Sequence, residues 1–289
     1  MPRTVNHLLI ILLVLLPAIG CKDKYVSPYS APATGYLVVE GYISGNTSTQ
    51  FTVSRTIPLP GSTTPPPEHG AKVQVEGSDN SIHPLPETST GVYKDSFALS
   101  PQAQYRLRIH TAGGEDYLSD YVPFKVTPAI DSISWSNGPD GVTIYANSHD
   151  PSNATRYYQW NWDQVYEYQA GEYSEYEYIR ATNKVIERPD SDQIWHCWSS
   201  SNSTSILVST SAKLAQDVIS LYPVKHIPPN DIQLSLLYSI LVRQYALTGD
   251  GYNFLSLMQK NTESLGTIFD AQPSQITGNV HSLTHPAEQ

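Results

Sequence analysis

Basic residues are scarce in this chain: 17 Lys and Arg stand against 27 Asp and Glu, for a formal charge of −10 at pH 7. That balance speaks against nucleic acid as a partner and against polybasic docking to anionic lipid. Cysteine is confined to Cys21 and Cys197, and methionine to 2 residues. Long apolar runs are missing as well: the longest, Leu8 to Leu16, falls far short of the roughly 20 residues of a membrane-spanning helix. Several catalytic signatures are absent. There is no Gly-x-Ser-x-Gly elbow, no P-loop, no Rossmann glycine pattern and no His-Glu-x-x-His.

What the chain does have begins at that short run. Arg3 supplies a positive n-region, Leu8 to Leu16 an apolar core, and Ala18-Ile19-Gly20-Cys21 places a cysteine directly after small residues. This is the form of a bacterial lipoprotein signal (1–20), with Cys21 as the lipidated residue and the lipid bilayer as the partner it reaches. One acyl chain holds a protein marginally and two or more hold it stably, at about 0.8 kcal/mol per buried CH₂. With Cys21 used in this way, Cys197 is a lone thiol in an oxidising or surface compartment.

The roughly 270 residues that follow are enough for two ordinary domains or one large β domain. Tyr (20) and Pro (22) are abundant, which favours strands broken by proline turns. Residues 21–33 are polar and proline-bearing and read as a tether. The first domain, 34–126, reads as an immunoglobulin-like β-sandwich. Its strands are expected at 36–43, 50–57, 71–76, 91–98 and 104–111, the last with Tyr105, Leu107 and Ile109 on one face. Pro58 to Gly70, with Pro65-Pro66-Pro67, must be a loop.

A second β-rich domain, 127–289, opens with Ile130 to Trp135, a turn at Asn137 to Gly141, and Val142 to Ala146. Arg156 to Tyr168 is a long aromatic strand, and Thr204 to Ser209 another. Ala212 to Leu221 reads as mixed helix and loop. Ile232 to Leu247 is apolar on both parities, which predicts a central strand covered on both faces. Phe254, Leu255, Met258, Thr262 and Leu265 fall near helical spacing, so Tyr252 to Leu265 is the expected helix.

Candidate chemistry is sparse. Tyr166 to Tyr178 interleaves tyrosine with Glu167, Glu172, Glu175 and Glu177: an acidic aromatic ligand surface, a cation site, or a hairpin edge whose charges block strand addition. His281 and His285 have zinc-like i, i+4 spacing, but Gly278-Asn279 and Pro286 deny them a helix. His196 and Cys197 alternate faces on a strand and read as core packing. Asp131, Asp163 and Glu187 are available for two-carboxylate hydrolysis, yet nothing in the sequence selects a pair. No catalytic residue, metal or cofactor is assigned.

Cys197-Trp198, Ser205 to Val208, Tyr238 to Thr248 and above all Phe269 to His281, with its Gln272-Pro273-Ser274-Gln275 block, resemble the Bacteroidetes outer-membrane lipoprotein family known as domain of unknown function 4249. Tyr36 to Ile43 is similar to that family too. The resemblance implies an outer-membrane, lipid-anchored and non-enzymatic protein, accessory to a TonB-dependent receptor in nutrient capture or uptake. A lipid-anchored hydrolase acting on glycan or peptide, and a structural envelope lipoprotein, are the alternatives. Where relatives carry a second cysteine this chain has Ser282, so the resemblance supplies Cys197 with no disulfide partner. Relatives also continue with further strands, which reads the second domain as C-terminally truncated. Surface-exported lipoproteins of the Bacteroidetes usually resemble one another in an acidic cluster just after the lipidated cysteine, whereas here Asp23 stands between two lysines.

Overall fold

The computed structural model describes residues 35–45, 47–57, 64–263 and 276–286. The expected signal, Cys21, the tether and the Gln272 to Gln275 block lie outside these residues. The described chain is mainly β, as its short alternating runs predict.

The first unit comprises β1 (Leu37–Tyr42), β2 (Thr49–Arg55), β3 (Lys72–Gly77), β4 (Ile82–Leu85), β5 (Glu87–Ser89), β6 (Val92–Asp95), β7 (Gln104–His110), β8 (Asp116–Ser119) and β9 (Val122–Pro123). One sheet runs β1-β2-β6-β5; the other runs β8-β7-β3-β4, with β9 added beside β7. Alternation does the work. Phe51 and Val53 from the first sheet meet Val73, Val75, Leu107 and Ile109 from the second in one buried core, each contributing about 1.5–3 kcal/mol by leaving water. The strands not foreseen, β4, β5, β8 and β9, are short, and two of them contain proline (Pro84 and Pro123).

Ion pairs knit this unit's outer surface. Glu76 takes both Arg106 (2.8 Å) and Arg108 (2.6 Å), and Arg55 spans Glu68 and Glu115, each at 2.7 Å. Burial raises the Glu76 carboxyl, but donors from Arg108, Gln74 and Arg106 outweigh it and hold the group below its ordinary value of 4.5. Arg55 does the same for Glu115, and His69 with the backbone N–H groups of Gly91 and Gly70 brings Glu87 down to about 2. A carboxyl depressed by folding adds stability that is complete above its unfolded value and lost as pH falls through its folded one. Thermal unfolding should therefore show a midpoint that falls progressively below pH 4.5. Glu76→Gln should make that acid limb shallower; an unchanged limb would show that these pairs do not set it.

The second unit contains β10 (Ile130–Gly138), β11 (Gly141–Asp150), β12 (Tyr157–Gln169), β13 (Tyr176–Ile179), β14 (Lys184–Glu187), β15 (His196–Asn202), β16 (Leu207–Thr210), β17 (Asp217–Ile227), β18 (Leu237–Ala246) and helix α1 (Gly249–Glu263); β19 (Val280–Ser282) follows it in the chain. The foreseen hairpin pairs β10 with β11, its register closing at Gly138↔Gly141. Gly141 has φ +114°, and a Cβ there would lie 2.1 Å from the Ile227 carbonyl oxygen, so only glycine fits. β17 completes this sheet. The mixed helix and loop expected over Ala212 to Leu221 is corrected, because β17 begins at Asp217 and follows β11 through two register shifts.

The facing sheet is built around β12. β18 runs along one side, while β16 takes the first part of the other side and β15 the last. Tyr158 and Trp160 point inward at 0% exposure, against Ile144, Ala146, Ile219, Val224 and Ile227. β18 is thus an edge strand and not the covered central strand its composition predicts. Only Tyr238, Ile240 and Val242 pack on the core, while Leu237 and Leu241 face water. The helix forms over Gly249–Glu263, with Thr248 Oγ1 accepting the Gly251 N–H at its start. It lies on the outer face of β12, where Tyr252 meets Tyr157 with ring centroids 5.2 Å apart. β19, placed by sequence in the second unit, instead pairs with β8 of the first.

Candidate functional site

Two surfaces stand out. The first is a cleft of about 390 Å³ where the open end of the first sandwich meets the outer face of the β12 sheet. Ile43, Leu99, Phe124 and Val280, all packed against the first core, form its apolar walls. Gln159, Tyr245 and Thr248 face them from the second unit. Tyr42 and Tyr245 bridge the units, their hydroxyls 3.2 Å apart and their rings edge-on at 5.2 Å. Burial, then the hydrogen bond to Tyr245, pushes the Tyr42 phenol up to about 12, so it stays protonated.

The second surface lies on the far end of β12, beyond the sandwich. Cross-strand register puts Asp163, Val165 and Glu167 on one face with Leu241, Ser239 and Leu237 of β18 and with Asn202, Ser200 and Trp198 of β15. Val165 (42%), Leu237 (52%), Leu241 (57%) and Trp198 (59%) are open to water there. Ion pairs frame the patch, Asp163 to Arg243 at 2.6 Å and Glu167 to His196 at 2.6 Å. The other face is closed by a polar network: Gln164 donates to Ser201 and Gln233 and accepts from the Tyr238 hydroxyl, all at 2.8 Å.

Next in the chain comes the β13–β14 hairpin. Its register places Tyr176, Tyr178, Val185 and Glu187 on one face, and both tyrosines are exposed. The Tyr-Glu segment is therefore divided: Tyr166 to Tyr168 belongs to β12, and Tyr176 to Tyr178 to a separate two-stranded hairpin.

The other sequence candidates are scattered. Asp131 pairs with His149 on the β10–β11 sheet, Asp163 pairs with Arg243 on the β12 sheet, and Glu187 is exposed on the hairpin, so no two of them face each other. The core role read for His196 and Cys197 is corrected. They lie on edge strand β15, past the point where a second sheet faces it. His196 is exposed on Glu167, and Cys197 is half-buried with its thiol on the Ile194 carbonyl. His281 sits on β19 within 3.7 Å of Asp120, and His285 lies beyond the strand. Among the described residues, no group of three His, Cys, Asp or Glu is arranged to hold a metal ion, and no helix is long and apolar enough to cross a membrane. Gln159, Tyr42 and Tyr245 were not singled out by the sequence reading. They come from β12, β1 and β18, and no local pattern joins them.

Fold and surfaces together define a protein of β-sandwiches with an apolar-walled cleft and an exposed apolar patch. The family model described as domain of unknown function (DUF4249) matches residues 23–289, and the chain belongs to that family. Comparison with curated proteins and with solved structures gives no match.

Proposed function

We propose that this chain is a lipid-anchored, non-enzymatic protein of the outer membrane that assists a TonB-dependent receptor in nutrient capture. The observation that carries the reading is the exposed face formed by Val165, Trp198, Leu237 and Leu241 on a sheet whose two flanking strands, β15 and β18, pair only with β12 among the described residues. Apolar surface left in water costs about 25 cal/mol per Å², and contiguous patches of it mark partner sites. Unpaired strand edges beside such a patch offer a second mode of attachment. The sequence Leu8 to Cys21 supplies the anchor. A glycoside hydrolase would need two carboxyl groups facing across a cleft. Asp131, Asp163 and Glu187 stand on three different sheets, which favours the binding reading.

Two measurements test it. Radiolabelled palmitate should enter the wild type and not Cys21→Ala, and that variant should leave the membrane fraction. A pull-down from solubilised outer membranes should recover a TonB-dependent receptor. Pairing Trp198→Ser with Leu241→Glu should cut that recovery at least about tenfold without altering membrane fractionation, since truncating central apolar anchors costs 2 kcal/mol or more. Recovery of no receptor, or equal recovery with the double variant, would refute the proposal.

A further inference from the structure

We infer that the cleft between the two sandwiches binds an uncharged, mainly apolar small molecule that carries a carbonyl or hydroxyl group. Its volume, about 390 Å³, falls within the range of ligand pockets, and its position between two folded units is where such pockets gather. The walls set the body of the ligand. Ile43, Leu99, Phe124 and Val280 present side chains that are half-buried against the first core and unfinished on the cleft side.

Charge sets its class. The chain carries ten more acidic than basic groups, yet no Asp or Glu lines this cleft among the described residues. The single charged lining residue is Lys125, whose ammonium donates to the Ala154 carbonyl at 3.3 Å. An anion would find one engaged cation and a cation would find no counter-charge. A cation would lose hydration without replacement, and an anion would have a single, already engaged counter-charge to set against it.

Polar groups without partners set the head. Gln159, half-buried on the outer face of β12, has a side-chain amide with no hydrogen-bond partner among the described residues. Tyr42 donates to Tyr245 and leaves the Tyr245 hydroxyl proton free to be given. A carbonyl oxygen can take the amide N–H or the phenol proton, and a hydroxyl can also donate to the Gln159 carbonyl. Two other glutamines of this sheet are fully used: Gln164 makes three hydrogen bonds, and Gln244 serves Trp160, Pro128 and Ser148.

The test needs no knowledge of the natural ligand or the receptor, so it stands or falls apart from the proposed partnership. The full chain in non-ionic detergent is titrated with prodan, a neutral naphthyl ketone whose emission shifts to the blue on leaving water. Anilinonaphthalene sulfonate serves as the anionic comparator. Wild type should show one saturable site with blue-shifted prodan emission. Asn279→Trp, which fills the cleft from its exposed rim, should abolish that component and leave only micelle partitioning. Gln159→Leu keeps the volume and removes the amide, and should weaken binding about five- to tenfold with an unchanged melting midpoint. Leu241→Glu, on the other surface, should bind as wild type. No saturable component, a component lost in Leu241→Glu but kept in Asn279→Trp, equal affinity in Gln159→Leu, or tighter binding of the sulfonate would each overturn the inference.

Discussion

Replacing Asp217 by alanine will destabilise the second sandwich by about 3 to 5 kcal/mol, the range for removing one member of a buried polar cluster. Asp217 opens β17 and is 2% exposed. Its carboxyl accepts the hydroxyl protons of Tyr158 and Ser211, and its own N–H reaches Asn153 Oδ1 at 2.7 Å. Tyr158 is fully buried and stacks toward Trp160 with ring centroids 5.7 Å apart, so its hydroxyl has no route to water. Burial first, then the bond to Asp217, drives the Tyr158 pKa well above the ordinary phenol value of 10.0, which keeps the proton in place to be donated. Alanine leaves both hydroxyls without an acceptor. The melting midpoint should drop by about 10 °C, at roughly 2–4 °C per kcal/mol for a unit of this size. Asp217→Asn should lie between, since it keeps one acceptor and adds two donors that need homes. A fall of under about 1 kcal/mol in the alanine variant would mean the cluster relaxes or admits water.

Trp160→Ala carries a comparable expected loss, about 3 to 5 kcal/mol, from the cavity it leaves. The ring is fully buried and stacked on Tyr222 at 4.3 Å. Its indole N–H donates to Gln244 Oε1 at 2.8 Å, and Gln244 in turn donates to the Pro128 carbonyl at 3.0 Å and to Ser148 Oγ at 2.8 Å. One side chain thus ties β12 to β18, to the opposite sheet and to the segment joining the two units. Trp160→Phe separates the contributions: it keeps most of the packing, orphans the Gln244 carbonyl and should cost about 1–3 kcal/mol. Urea unfolding followed by far-ultraviolet circular dichroism reads both variants. Equal losses for alanine and phenylalanine would assign the effect to the hydrogen-bond chain and not to volume.

The cores were legible in the sequence because alternation is a strong signal where one sheet face is buried. Tyr105, Leu107 and Ile109 were expected on one face and are found there, and the aromatic run through Tyr158 and Trp160 does fill a core. Misreadings cluster where a residue's apolarity has a cause other than the core. Leu237 and Leu241 gave β18 the look of a covered strand, but their face is the exposed patch. Pro223 and two register shifts hid β17 from a period-two reading. His196 and Cys197 sit in an aromatic stretch that continues past the end of the facing sheet. The cleft was invisible for a simpler reason. Its walls come from β1, the segments after β6 and β9, β12, β18 and the start of β19, and only the packing of the two units makes them neighbours.

Strand β19 carries a consequence for how the molecule is made. The Asp116 N–H of β8 is met by Thr284, 168 positions later in sequence. During folding, then, the first sandwich can form with one border of its larger sheet bare, and that border is sealed only once the segment beyond the entire second unit docks. Joining ends so distant is slow compared with forming the local hairpins. The late-arriving segment acts as a latch, and a chain caught before it closes presents β8 to any neighbouring nascent copy.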